Sequence, residues 1–115
     1  MKNIDSLKKN SDFQKVYRRR DSKGNRLLVM YKLKNDSDSL RIGISVSKKV
    51  GNSIVRHRLT RLIREAYRLN RENFETGYDI VVVARPAAKG QGYGEMESTF
   101  LHLAKLHGIM CGELK

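Results

Sequence analysis

Eight cations fall between Val46 and Arg71: Lys48, Lys49, Arg56, Arg58, Arg61, Arg64, Arg68 and Arg71. Glu65 is the only anion among them. Guanidinium groups at this density suit the holding of phosphate, because each offers a planar fork that can donate two parallel hydrogen bonds to phosphate oxygens. At about 100° per residue, Val55, Leu59, Leu62, Ile63 and Ala66 form an apolar stripe, while Arg58, Arg61, Arg64, Arg68 and Arg71 fall on the other side. The spacing predicts one long helix with a face that packs and a face that meets something strongly negative. Helix propensity does not explain the arginines, since Glu and Gln would serve equally. The loop Lys48-Lys49-Val50-Gly51-Asn52-Ser53 feeds the N-terminus of this helix, where free N–H groups and the helix dipole favour an anion. Capping alone would also account for Asn52 and Ser53.

A second set is aromatic. Phe13 and Tyr17 are four apart and share a helix face, and Tyr31 lies on the following strand, with Lys15, Arg18 and Lys32 nearby. Each ring alone reads as core. Together, beside cations, they suit partly exposed platforms for stacking bases. Catalytic groups are scarce. His57, His102 and His107 show no metal-ligand spacing with carboxylates or cysteines. Asp36 and Asp38 sit in a polar turn, and Cys111 lies near the end of the chain. No pattern here supplies the general base, metal-binding carboxylate cluster or nucleophile pair that a nuclease requires. The residues therefore describe an RNA or DNA binder without catalytic apparatus of its own.

The composition agrees. The chain has 115 residues and a formal charge of +12. Residues 1 to 74 hold 20 of the 24 basic and 7 of the 12 acidic residues, a net of +13, whereas the remainder carries −1. Such an excess opposes compaction, and a polyanion relieves it. Nucleic acid is the first candidate partner and an acidic membrane surface the second. There is no long apolar run and no apolar N-terminal segment, so neither a spanning helix nor a secretory signal is expected. The length fits one domain, residues 1–115, with one modest core. A lone Cys111 excludes an internal disulfide, which fits a cytoplasmic protein.

The elements that must position these groups can be read in order. Residues 1–9 are polar and expected to be flexible. Asn10, Ser11 and Asp12 offer an N-cap for a first helix carrying Phe13, Val16 and Tyr17 and ending in Arg18-Arg19-Arg20. Leu27 to Lys34 and Leu40 to Ser47 alternate and suggest an antiparallel hairpin across the turn Asn35 to Ser39. The long helix follows Gly51-Asn52-Ser53 and is expected to end near Phe74. Ile80-Val81-Val82-Val83-Ala84 suits a central strand buried on both faces, stopped by Pro86. Gly90, Gly92 and Gly94 read as a flexible loop before a last helix from Met96 to His107. The expected fold is α+β: a two-layer sandwich of a small mixed sheet and about three helices, with one strand–helix–strand crossover.

The segment Ser45 to Arg68, SVSKKVGNSIVRHRLTRLIREAYR, resembles the signature of the protein subunit of bacterial ribonuclease P. The likeness extends through Asp12-Phe13-Gln14-Lys15-Val16-Tyr17, Val29-Met30-Tyr31, Arg41 to Lys49 and Val81 to Pro86. The resemblance implies a subunit that assists an RNA catalyst in removing the 5′ leader of precursor tRNA. It implies no catalytic residue in the protein, no cofactor bound by it, Mg2+ on the RNA, and no membrane or obligate protein partner. It places Lys48, Lys49, Asn52, Arg56, His57, Arg58, Arg61, Arg64 and Arg68 against the catalytic RNA. Phe13, Lys15, Tyr17 and Tyr31 would line a cleft for the leader. It also implies a left-handed crossover, against the usual handedness. Two positions depart from the family pattern: His57 stands where Asn is usual, and Thr60 where Lys is frequent. The alternative reading is a small basic structural ribosomal protein, which would often carry long basic tails.

Overall fold

The computed structural model describes residues 5–111. In chain order the elements are β1 (Asp5–Ser6), α1 (Asn10–Arg19), β2 (Ser22–Gly24), β3 (Leu28–Lys34), β4 (Leu40–Ser45), α2 (Ser53–Leu69), β5 (Tyr78–Ala84) and α3 (Tyr93–Leu106), with short 3-10 turns at Arg71–Asn73 and Pro86–Ala88. The β-branched run of β5 takes the centre of a five-stranded mixed sheet ordered β1-β4-β5-β3-β2. It pairs in parallel with β4, across the α2 crossover, and antiparallel with β3. The α+β sandwich and its strand–helix–strand crossover are therefore present.

Alternation along β5 divides the interior. Ile80, Val82 and Ala84 join Leu28, Met30, Leu40 and Ile42 in the main core beneath α2 and α3, which contribute Leu59, Ile63, Ala66, Tyr67, Phe100, Leu103 and Ala104. The intervening Val81 and Val83 face the other way and form a smaller cluster with Val16 of α1, Leu7, Phe13, Tyr17, Tyr31 and Leu33. Helices thus cover both faces: α2 and α3 on one, α1 across the other.

The hairpin expected from Leu27 to Ser47 does not form. β5 lies between β3 and β4, so the two strands flanking the Asn35–Ser39 turn never pair with each other. The turn bridges the start of β5 instead: Asn35 N–H donates to the Gly77 carbonyl (2.9 Å), and Gly77 N–H donates to the Ser39 carbonyl (2.8 Å). Gly77 has φ +93°, a left-handed conformation that favours glycine. Part of the segment 1–9, expected to be flexible, packs against the sheet. Residues 5–6 pair in parallel with β4, and Leu7 is buried, its N–H donating to the Ile42 carbonyl. Residues 1–4 lie outside the described residues. Lys9, not Asn10 to Asp12, is the N-cap of α1, and no side chain caps it.

Two helix boundaries differ as well. The long helix stops at Leu69, where the Asn70 side chain donates to the Ala66 carbonyl (2.8 Å) and ends the turn ladder. α3 begins at Tyr93, so Gly94 belongs to a helix rather than to the glycine loop. A buried polar network closes the sheet at the other end. Asp79, 4% exposed, accepts from Arg41 Nε (2.9 Å) and Nη2 (2.7 Å) and from Asn35 Nδ2 (2.8 Å). Arg41 also reaches Asp12 of α1 at 3.9 Å, tying that helix to the sheet.

Candidate nucleic-acid interface

The arginine face is built by burying the opposite side of α2. Leu59, Ile63, Ala66 and Tyr67 are fully buried, which fixes the rotation of the helix and turns His57, Arg58, Arg61, Arg64 and Arg68 to solvent. At the N-terminus the Asn52 carboxamide oxygen accepts from Val55 N–H (3.0 Å), so Asn52 serves as the cap. Lys48 and Lys49 are exposed on the turn before it.

Not every cation of the sequence stripe joins this face. Arg56 is half-buried and folds back, its Nε donating to the Gly51 carbonyl (3.2 Å). Thr60 Oγ1 donates to the Arg56 carbonyl (2.9 Å) and points along the helix rather than outward. Arg71 lies beyond the end of α2, in the 3-10 turn, with its guanidinium over the Tyr67 ring at 5.8 Å. The expectation that it continues the arginine row is therefore corrected: the helix stops two residues before it.

The remaining arginines fall into two kinds. Arg68 donates from Nε and Nη2 to the two oxygens of Glu65 (3.0 and 2.6 Å), and Arg58 Nη2 donates to the Gln91 carbonyl (2.9 Å). The bond from Arg68 holds the Glu65 carboxyl below its ordinary range, and Glu65 correspondingly raises Arg68. Arg61 and Arg64 have no hydrogen-bond or ion-pair partner among the described residues. They have their full donor set to offer a ligand.

The aromatic set converges on the far side of the sheet. Tyr17 and Tyr31 meet edge to face at 4.9 Å between centroids, and Phe13 lies 6.4 Å from Tyr17. All three rings are half-buried, while Lys15 is exposed on α1. The Phe13 ring sits over Gly43, where a side-chain Cβ would stand 2.6 Å from its Cζ. Next to the rings, Ser45, Val83 and Val29 line up across β4, β5 and β3, since Ser45 pairs with Val83 and Val83 with Val29. These three are half-exposed and form an open floor beside α1. Nothing in their residue types marks them as site residues. The only signal for them was the alternation of three separate strands, and the strand order was needed to bring them together.

His57 is exposed beside the arginines of α2, whereas the other two histidines make contacts within the fold. His107 is buried and its Nε2 lies 2.8 Å from the Met30 carbonyl, linking α3 to β3, while Asn25 Nδ2 lies 3.1 Å from His102 Nδ1. Among the described residues, no group of three or more His, Cys, Asp or Glu side chains could hold a metal ion, and no helix is long and apolar enough to cross a membrane.

These features define a basic α+β protein with a phosphate-suited helix on one side of its sheet and an aromatic groove on the other. Comparisons with known proteins place that class. The Ribonuclease P family pattern matches residues 1–107. The chain is 55% identical to the ribonuclease P protein component of Lachnoclostridium phytofermentans over 106 residues, covering 92% of this chain and 91% of the relative. It is 50% identical to that of Clostridium novyi over 111 residues, covering 95% and 98%. The solved RNase P protein of Staphylococcus aureus superposes with a TM-score of 0.87 at 34% identity, covering 95% of this chain and all of that one. The Thermotoga maritima protein gives 0.82 at 29% identity, covering 89% and 96%. The chain belongs to the ribonuclease P protein family.

Proposed function

We propose that this chain is the non-catalytic protein subunit of a cytoplasmic ribonuclease P ribonucleoprotein. The exposed face of α2, with Arg58, Arg61, Arg64 and Arg68 and the flanking Lys48 and Lys49, binds the catalytic RNA. The groove of Phe13, Tyr17 and Tyr31, rimmed by Lys15 and floored by Ser45, Val83 and Val29, takes the single-stranded 5′ leader of precursor tRNA. The observation that carries this reading is the placement of the two surfaces on opposite faces of one sheet. One RNA can be held without obstructing the other. Arginine forks neutralise phosphate, and stacked rings hold unpaired bases. By fixing the leader, the protein helps position the scissile bond. Hydrolysis is assigned to the RNA and its magnesium ions. The family likeness gives no support to a structural ribosomal protein.

The test is Arg58→Ala, Arg61→Ala and Arg64→Ala combined. Catalytic-RNA affinity should fall, and its log–log dependence on salt should flatten by close to one unit per lost phosphate contact. These side chains are exposed, so the thermal midpoint should hardly move. An unchanged salt slope in the folded triple variant would remove α2 from the interface.

A further inference from the structure

We propose that the arginine face of α2 contains a receptor for one unstacked RNA base, in addition to its phosphate contacts. This rests on the reading that the face binds RNA. A helix that only tracks a phosphate backbone needs a charged ridge. This helix instead has a recess of about 570 Å³ lined by Arg58, Arg61, Leu62, Arg64, Glu65 and Arg68. That volume lies in the range of small-ligand sites.

Three observations specify the occupant. First, Leu62 is only half-buried and is the one apolar side chain lining this recess among the charged groups. An aliphatic side chain there gives nothing to a phosphate but does fit the face of a planar heterocycle. Second, Arg58 and Arg68 are already fastened by the Gln91 carbonyl and the Glu65 carboxylate. Arginines spent on protein acceptors have fewer donors left for phosphate. Arg68, held through two bonds, and Arg58, held through one, are however partly ordered in advance, and a guanidinium so held is a stacking surface for a base. Third, Glu65 repels phosphate. Each carboxylate has about four acceptor positions, and two are used by Arg68. The others can accept from the exocyclic amino group of adenine, cytosine or guanine, as carboxylates do from cytosine. Uracil has no amino group. The recess should therefore prefer the other three bases, while Arg61 and Arg64 remain available for the adjoining phosphates.

The probes are AMP, CMP, GMP, UMP, ribose 5-phosphate and inorganic phosphate, added to the protein labelled at its leucine methyls. Nucleotides carrying an amino group should shift the Leu62 methyl signals saturably. UMP should shift them at several-fold higher concentration, and the two probes without a base should leave them in place. In a Leu62→Asp variant an acid replaces the apolar lining and the reporter methyls are gone, so its binding of AMP, followed by calorimetry, should be lost. The variant should also bind a hairpin RNA with one bulged adenosine about tenfold more weakly, by the usual worth of a stacked base, and the bulge-free hairpin no more weakly than Leu62→Asn does. Equal Leu62 shifts with ribose 5-phosphate and AMP would overturn the base receptor and leave the phosphate reading intact. Failure of the wild-type protein to bind either hairpin would overturn both. A Leu62→Asp variant that fails to fold leaves the nucleotide titration of the wild-type protein to decide.

Discussion

Gly43→Ala isolates the aromatic groove from the rest of the molecule. The new Cβ would stand 2.6 Å from Cζ and 2.8 Å from Cε2 of Phe13, and 3.2 Å from Cβ of Leu7. Carbon atoms rest at about 3.5–4.0 Å, so the ring must retreat by roughly 1 Å. Phe13 is half-buried at the groove rim, and the clashing atoms are the far end of its side chain. The ring can swing outward without moving the sheet. Overpacking costs about 1–3 kcal/mol, and the lower end applies where a side chain can move. Loss of glycine freedom in the unfolded chain returns about 0.4–1 kcal/mol. The net stability loss should be about 1 kcal/mol or less. The displaced ring should lose most of a stacking contact worth about 1–3 kcal/mol. Affinity for precursor tRNA with its leader should fall about tenfold, while affinity for mature tRNA and for the catalytic RNA stays put. The assay is paired equilibrium binding of both tRNAs to the reconstituted particle, with the unfolding midpoint measured alongside. If both tRNAs weaken equally, Phe13 is a brace for α1 and not a leader contact. If neither weakens although the ring has moved, stacking at this position is wrong.

Asp79→Ala should destabilise the fold by about 3 kcal/mol, the lower end of the cost of breaking a buried ion pair, because the Arg41 side chain remains 36% exposed. Urea unfolding measures this, and a loss below about 1 kcal/mol would mean that water replaces the carboxylate. His107 supplies a pH dependence. Burial pushes its pKa below the ordinary 6.5, outweighing the hydrogen bond to Met30 and the nearby Asp21, which push the other way. The unfolded chain therefore binds this proton more readily than the native one. Its contribution to stability is full above about pH 6.5 and is lost as pH falls through the native value. His107→Gln should flatten the stability profile between pH 7 and 5, and a wild-type profile already flat there would refute the assignment.

How much of this was legible in the sequence depends on the distance over which each feature is decided. The arginine face depends on one helix, and its rotation followed from Leu59, Ile63 and Ala66. Arg71 was misplaced because Asn70 acts as a side-chain stop that helix propensity does not register. Leu62 counted as core by angle but sits at the edge of the stripe, where burial is only partial. Strand positions were readable from alternation, yet alternation names a face and not a neighbour. The expected hairpin failed for that reason: nothing in Leu27 to Ser47 reveals that a strand some forty residues later will separate its arms. The same gap concealed Ser45, Val83 and Val29, which become one surface only after β5 inserts. Phe13, Tyr17 and Tyr31 stood out by their chemistry, not their partners, and the fold brings their rings together.

The insertion of β5 also fixes an order of events during synthesis. In the native sheet β3 and β4 do not pair with each other, so the inner edge of each waits for β5. The whole cationic helix emerges before β5 supplies both missing partners. Until then the chain is a positively charged segment joined to open strand edges, a form prone to aggregation. Closure depends on contacts far apart in sequence, which makes it slow. An RNA that engages the arginines at this stage would shield the charge before the sheet exists. The same topology makes one strand complete both halves of the sheet, and a chain ending before Tyr78 lacks the partner of each.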